Sequence, residues 1–296
     1  MKRNLVIVRA GRQSLHHHWF DLPYSARDFD VIVSYFDEDA YNTHVPSDGV
    51  DATFVPGGKW DGIYKTVNEP DLAAYDYIWL PDDDLWISVE DINQTFAIAA
   101  EYRLKVAQPA LTHDSYYSHF IFMQSPSFKL RYTNYIEIMA PCLDRHVFAA
   151  VLPHFAQSKS GYGLDYIWCR LPGAAHGPSA ILDAVSMRHT RPVGGPLKQI
   201  MKAAGTTRPE DEEALLKARF GIAPHHRIAP IAYGGVTQGG QAVHGRLRVL
   251  CQMLRDIGAS DGGWVADPPL RVSVMKLIRR QLTKPLDLSD LGTRTG

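Results

Sequence analysis

Over the first two-thirds of the chain, short unbroken apolar runs alternate with segments whose apolar positions recur every three or four residues. Leu5–Val8, Phe29–Tyr35, Ala52–Val55 and Tyr77–Leu80 have strand length and end in turn residues. Between them, helical spacing predicts Lys59–Val67 and Val89–Tyr102, the latter with Val89, Ile92, Phe96, Ile98 and Ala99 along one side. Ser14 is placed to cap a short helix over His16–Phe20. Arg145–Leu152 and Leu164–Arg170 read as helices, and Ala180–Met187 as an apolar run that delivers Arg188-His189. Strands separated by helices predict an α/β fold with a parallel sheet covered on both faces. Two segments break this rhythm. Phe128–Met139 alternates polarity, as a half-exposed antiparallel strand does. From about Gly205 the pattern becomes mainly helical: Asp211–Phe220, a glycine-rich loop Tyr233–Gly240, then Val243–Ile257 and Leu270–Leu282. The chain therefore divides into an α/β domain, 1–204, and a helical C-terminal extension, 205–296.

Composition narrows the function classes. The 296 residues carry a formal net charge of −1, with no basic excess to hold nucleic acid. Three widely spaced cysteines suit a reducing compartment better than a disulfide framework. The apolar run at the N-terminus is too short for a secretory or membrane-spanning segment, so a cytoplasmic protein is expected. The last helix sets Arg271, Lys276, Arg279 and Arg280 beside Val274, Leu277 and Ile278. It packs on the main domain with a solvated basic face, or makes a peripheral contact with the inner face of an anionic membrane.

The sharpest chemical signal is Tyr75–Leu85, YDYIWLPDDDL, where a strand ends in Asp82, Asp83 and Asp84. On an extended chain Asp82 and Asp84 point the same way. At about 7 Å the two carboxylates repel by roughly 2 kcal/mol at an effective dielectric of about 20, a cost that a divalent cation reverses. Oxygen ligands of this kind suit Mg²⁺ or Mn²⁺. A solvated acidic turn before the next helix is the plainer alternative. His189, at the end of a strand-like run, is a candidate further ligand. Asp165 follows a GYGL loop, where a carboxylate either caps a helix or points into a cleft as a base. Arg9 and Gly11 end the first strand, a usual place for phosphates or nucleobases, and Lys59 and Lys65 on the helix after the third strand can neutralise a diphosphate. Glu137 falls on the polar face of its expected strand, bound to an acceptor hydroxyl or simply wet. His16, His17 and Trp19 are placed to line the same cleft. No GxGxxG, P-loop or nucleophile elbow is present.

In this order, YDYIWLPDDDL, QPAL (Gln108–Leu111), IEIMAP (Ile136–Pro141), GYGLD (Gly161–Asp165) and His189…Gly194-Gly195 resemble GT-A-type glycosyltransferases. More closely, they resemble an uncharacterised plant and bacterial family labelled as related to lysine-ketoglutarate reductase trans-splicing. The resemblance covers roughly residues 3–195. It implies a GT-A-like fold, a Rossmann-like nucleotide-binding sheet with helices on both faces. It also implies a UDP- or GDP-type nucleotide-sugar donor and a glycan or glycolipid acceptor, as in surface polysaccharide synthesis. Asp82, Asp84 and His189 would hold Mn²⁺ or Mg²⁺. Asp83 would touch the donor sugar or ribose, and Arg9, Gly11, Lys59 and Lys65 would lie near the nucleotide. Asp165 would activate the acceptor hydroxyl, with Glu137 beside it; direct displacement would invert the anomeric centre, and a retaining route stays open because the sequence does not fix where the acceptor sits. Tyr162 stands where relatives carry tryptophan. A nucleotidyltransferase or phosphohydrolase with the same acids is the competing enzyme, and a non-catalytic nucleotide-sugar-binding protein the third possibility.

Overall fold

The first four β-strands of the sheet run parallel, as their apolar sequences require. β1 (Asn4–Ala10), β2 (Phe29–Tyr35), β3 (Val50–Phe54) and β4 (Tyr77–Trp79) lie in the order β4-β1-β2-β3. β1 is buried from Leu5 to Ala10, and unbroken apolar sequence is what a strand covered on both faces needs. The computed structural model describes residues 2–67, 72–171, 177–193, 208–265 and 268–291. Helix α1 (Glu38–Asn42) follows β2, and α2 (Lys59–Thr66) follows β3 and packs on β1. Short β5 (Leu85–Trp86) leads into α3 (Val89–Glu101), which the Ser88 side chain caps by accepting the Asp91 N–H. At the 3₁₀ helix His16–Phe20 the N-cap position is Leu15, while the Ser14 hydroxyl one residue earlier accepts the His16 N–H at 3.4 Å and meets the His16 ring at 2.6 Å.

Beyond β4 the sheet becomes mixed. β6 (Val106–Leu111) and β9 (Ser179–His189) pair in parallel, while β8 (Cys142–Asp144) lies antiparallel between β6 and β4. Pro109 stands inside central β6. It has no N–H to give the ladder, and the register shifts between Pro109 and Ala110. β7 (Phe128–Thr133) is antiparallel to β9, and α4 (Arg145–Phe155), capped by Asp144, follows β8. The strand expected over Phe128–Met139 therefore stops at Thr133, and Glu137 stands in a loop. The segment after 208 brings α5 (Pro209–Arg219), α6 (Arg246–Gly258) and α7 (Leu270–Thr283). It also adds two strands, β10 (Ala232–Thr237) and β11 (Ala242–His244). The glycine-rich stretch from Tyr233 is thus mostly strand: β10 extends the main sheet alongside β7. Gly235 permits this, since a Cβ there would stand 2.7 Å from the Leu130 carbonyl oxygen. Gly194-Gly195 and the 204/205 division lie outside the described residues.

Candidate active site

β5 is the key to the site. Its Leu85 pairs with His189 and its Trp86 with Arg188, so the end of β9 is fastened to the chain just after the aspartates. The Thr190 N–H and hydroxyl both donate to the Asp84 carbonyl, at 3.1 and 2.8 Å. This pairing carries the imidazole of residue 189 to the carboxylate of residue 84, with Nε2 3.2 Å from Oδ2 and both side chains nearly buried. Burial works against a charged imidazole, but the hydrogen bond and charge of Asp84 outweigh it and raise the His189 pKa. Nδ1 lies 3.0 Å from the Tyr116 carbonyl, the kind of contact that orients a ligating histidine with Nε2 outward. Asp84 Oδ1 is buried and has no hydrogen-bond partner.

The other two aspartates diverge. Residues 83–84 form a turn rather than an extended strand, and Asp82 and Asp84 are held by different partners. Asp82 accepts from Lys59 Nζ at 2.6 Å, and the same ammonium donates to the carbonyls of Ile138 and Met139. Its side chain remains 38% exposed. The surrounding protein nonetheless raises its pKa, against the pull of Lys59 and with added repulsion from Asp84. Asp83 Oδ2 accepts the Gly11 N–H at 3.0 Å and Oδ1 meets Arg191 at 3.3 Å. Among the described residues no three His, Cys, Asp or Glu side chains are gathered so as to hold a metal ion. Asp84 and His189 suit a divalent cation in chemistry and orientation. Asp82 would join them on exchanging its contact with Lys59.

A second pair of acids faces this one. The 136–141 loop is clamped against β4 by Leu80 N–H to Pro141 O, Asp82 N–H to Met139 O and Trp79 Nε1–H to Ala140 O. Glu137 is buried there, not wet, with Gln108 Nε2 3.5 Å away. Burial lifts its pKa to about 8, and it senses the charges of His189, Asp165 and Asp82. Asp165 is the middle residue of the 3₁₀ turn Leu164–Tyr166 after Gly163, whose φ of +97° is open to glycine. Gly161 also has positive φ, and a Cβ there would lie 2.0 Å from Trp60 Nε1. The Tyr135 hydroxyl donates to Asp165 Oδ2. Burial raises the Asp165 pKa to about 6, while that hydrogen bond opposes the rise. Asp165 Oδ1 is a buried acceptor without a partner. Four acids and a histidine from four chain segments thus share one electrostatic neighbourhood.

The remaining expected positions separate. Arg9 is turned inward. Its guanidinium donates to Ser34 Oγ at 2.7 Å and to the carbonyls of Val55 and Gly57, tying β1 and β2 to the turn after β3. Lys65 is paired with Asp61 on its own helix. Trp19 is fully buried against Trp79, whereas His16 and His17 line a cavity of about 600 Å³ with Gly11, Tyr35 and His44. Because Gly11 also bonds Asp83, this cavity adjoins the aspartate turn. Reading the sequence missed Tyr135 and Glu212. The Glu212 carboxylate accepts the Lys159 and Ser160 N–H groups and the Ser160 hydroxyl, holding the glycine loop from outside the α/β half. Tyr135 was readable only through its alternation with Glu137; Glu212 carried no local signal.

No family model matches the sequence, and no curated protein does. Solved structures of Staphylococcus aureus TarS, residues 1–349, are similar in part. The complex with UDP-GlcNAc matches at TM-score 0.45 and 12% identity, over 74% of this chain and 66% of that one. The complex with UDP matches at TM-score 0.43 and 13% identity, over 75% and 73%. The chain thus spans slightly under two-thirds of the first of these structures.

Proposed function

We propose that this protein is a metal-dependent glycosyltransferase of GT-A type that moves a sugar from a nucleotide-sugar to a hydroxyl of a glycan or glycolipid. One observation supports the reading: Asp84–His189, with an unsatisfied carboxylate oxygen, and Asp165, a buried carboxyl oriented by a tyrosine, are linked by buried Glu137, which senses the charges of both His189 and Asp165. A donor of UDP or GDP type would lay its nucleoside in the cavity beside Gly11 and Asp83 and its diphosphate toward Asp84. A divalent cation held by Asp84, His189 and Asp82 would supply charge stabilisation for the leaving diphosphate. With a pKa of about 6, Asp165 is mostly ionised at neutral pH and can accept the acceptor's proton. The acceptor oxygen then bonds to the anomeric carbon as the carbon–phosphate oxygen bond breaks, with inversion. Tyr135 holds Asp165 in place. Glu137, protonated below about pH 8, can donate a hydrogen bond to the sugar or acceptor. Two carboxyls pushed to different pKa values divide the work of base and donor.

The reading extends to location. Among the described residues no helix is long and apolar enough to cross a membrane. The outer face of α7 exposes Met275 (65%) and Leu282 (52%) near Arg271 and Arg279, which suits peripheral contact with an anionic membrane surface from the cytoplasmic side.

The experiment is thermal unfolding with a panel of UDP- and GDP-sugars, with and without Mn²⁺. One of them should stabilise the protein only with the metal, by about 2.7 kcal/mol at a hundredfold excess over its Kd. Asp84→Asn should abolish the effect. No Mn²⁺-dependent stabilisation by any nucleotide-sugar overturns the reading. Turnover of a nucleoside triphosphate without an acceptor would replace it with the nucleotidyltransferase or hydrolase alternative.

A further inference from the structure

Helix α5 is turned the wrong way for a helix whose task is only to cover a core. Leu215 points outward, 69% exposed, while Glu212 and Lys217 lie on the buried face beside Leu216. Glutamate and lysine are rarely buried unless the structure gives them partners. Their partners here bracket Asp165. A single oxygen of Glu212, Oε2, accepts three hydrogen bonds: from the Lys159 N–H at 3.1 Å, the Ser160 N–H at 2.9 Å and the Ser160 hydroxyl at 2.6 Å. The Ser160 hydroxyl oxygen in turn accepts the Tyr162 N–H at 3.2 Å. Gly163 lies so close to α5 that a Cβ there would stand 3.1 Å from Leu216 Cδ2 and 3.3 Å from Glu213 Cα. On the far side of the acid, Lys217 Nζ sits over the Tyr166 ring, 4.2 Å from its centroid, and donates to the His226 carbonyl at 2.8 Å.

We propose that Glu212 is a positioning residue: from α5 it fixes the turn that aims Asp165, with Lys217 holding the far side, so that the segment after 208 completes the active site. Because all three donors meet one oxygen, Glu212 acts as an acceptor of fixed reach, a role an amide can also fill. Asp165 faces Tyr135, Glu137, Tyr166, Cys169 and Glu213, and Glu213 is itself paired with Lys217 and Arg227. Burial is the largest influence that raises the Asp165 pKa to about 6; the Tyr135 hydrogen bond opposes it, and the charge of Glu213 adds to it. A loosened turn admits water to the carboxyl and removes the largest of the three. The proposal rests on the transferase reading for calling Asp165 a base, but not for the state of its carboxyl.

Carbon-13 NMR of the whole chain tests it, with labelled aspartate carboxyls and Asp165 identified by the signal that Asp165→Asn removes. The wild-type carboxyl should titrate near pH 6. Glu212→Asp keeps the charge but withdraws the oxygen by one methylene, and the midpoint should fall by about one pH unit, toward the ordinary carboxylate range. Glu212→Gln keeps the reach without the charge and should titrate as wild type. Wild-type midpoints in both variants overturn the proposal, and so does a Glu212→Gln protein that shifts or fails to fold. Should Glu212→Asp not fold, Ser160→Ala takes its place: it removes one of the three donors and should also lower the midpoint, and no change there overturns the proposal. If the midpoints move as expected while no nucleotide-sugar stabilises the protein, the positioning stands and the transferase reading falls.

Discussion

Two buried charge pairs sit about the same sheet, and they are finished differently. Arg131 on β7 and Asp183 on β9 are both fully buried. Arg131 donates to both carboxylate oxygens at 2.7 and 2.8 Å and to the carbonyls of Ile121 and Met123, while the Ser125 N–H adds a bond to Asp183. Asp84 and His189 share a single contact, and Asp84 keeps a buried oxygen with nothing to bind. Gln108 Oε1 and Asp165 Oδ1, of residues that act on Glu137, are also unpartnered. A buried polar atom without a partner costs free energy that folding alone has no reason to tolerate. The satisfied pair is architecture. The second cluster keeps acceptor oxygens free for the ligands that the proposed function assigns to it.

The largest test of that contrast is Arg131→Met. It strands Asp183 in the core and should cost about 3–5 kcal/mol, read as a fall in denaturation midpoint. Asp84→Asn should cost much less stability, and a comparable loss would erase the distinction. Asp165→Asn comes next. It should lower kcat by about 10²–10⁴-fold with the fold intact by circular dichroism, and unchanged turnover would remove Asp165 as the base.

Glu137→Gln probes the cluster by pH. The Glu137 carboxyl has a folded pKa of about 8 against an ordinary 4.5. Between those values the folded protein binds the extra proton, so stability falls as pH rises from about 4.5 to 8. The glutamine variant lacks that loss. Its melting temperature should match wild type near pH 4 and exceed it by several degrees at pH 8. A constant difference across the range would contradict the buried, protonated carboxyl. The smallest effect is expected from Lys59→Ala. Freed of its ammonium partner, Asp82 should take part in cation binding, and Mn²⁺ affinity measured by titration should rise a few-fold. A loss of affinity would show that Lys59 positions the aspartate instead of competing for it.

Most strands and helices of the N-terminal half were legible, because burial on both faces demands unbroken apolar runs and helices demand their own spacing. Phe29–Tyr35 and the start of α2 at Lys59 fall where the pattern puts them. The pattern failed where local appearance and tertiary demand differ. The alternation of FKLRYTNYIEIM continues past Thr133, but Asn134 breaks away to bond Ile231 and Ala229. The glycines after Tyr233 look like a loop, yet they are what lets β10 lie close against β7.

Of the site, the sequence alone determined which residues can do chemistry: the acids at 82–84, 137 and 165 and the imidazole at 189. Their identity follows from the sequence, and so do the places of all but Glu137, which was expected in a strand and stands in a loop. Only the tertiary structure decided that β5 pairs with the end of β9 and so seats His189 on Asp84. It also decided that Lys59 claims Asp82, that Arg9 turns inward, and that Tyr135 and Glu212 support the glycine loop. These are contacts between segments tens to over a hundred residues apart. Periodicity is local, whereas strand order and loop clamping depend on how the whole sheet closes over its core.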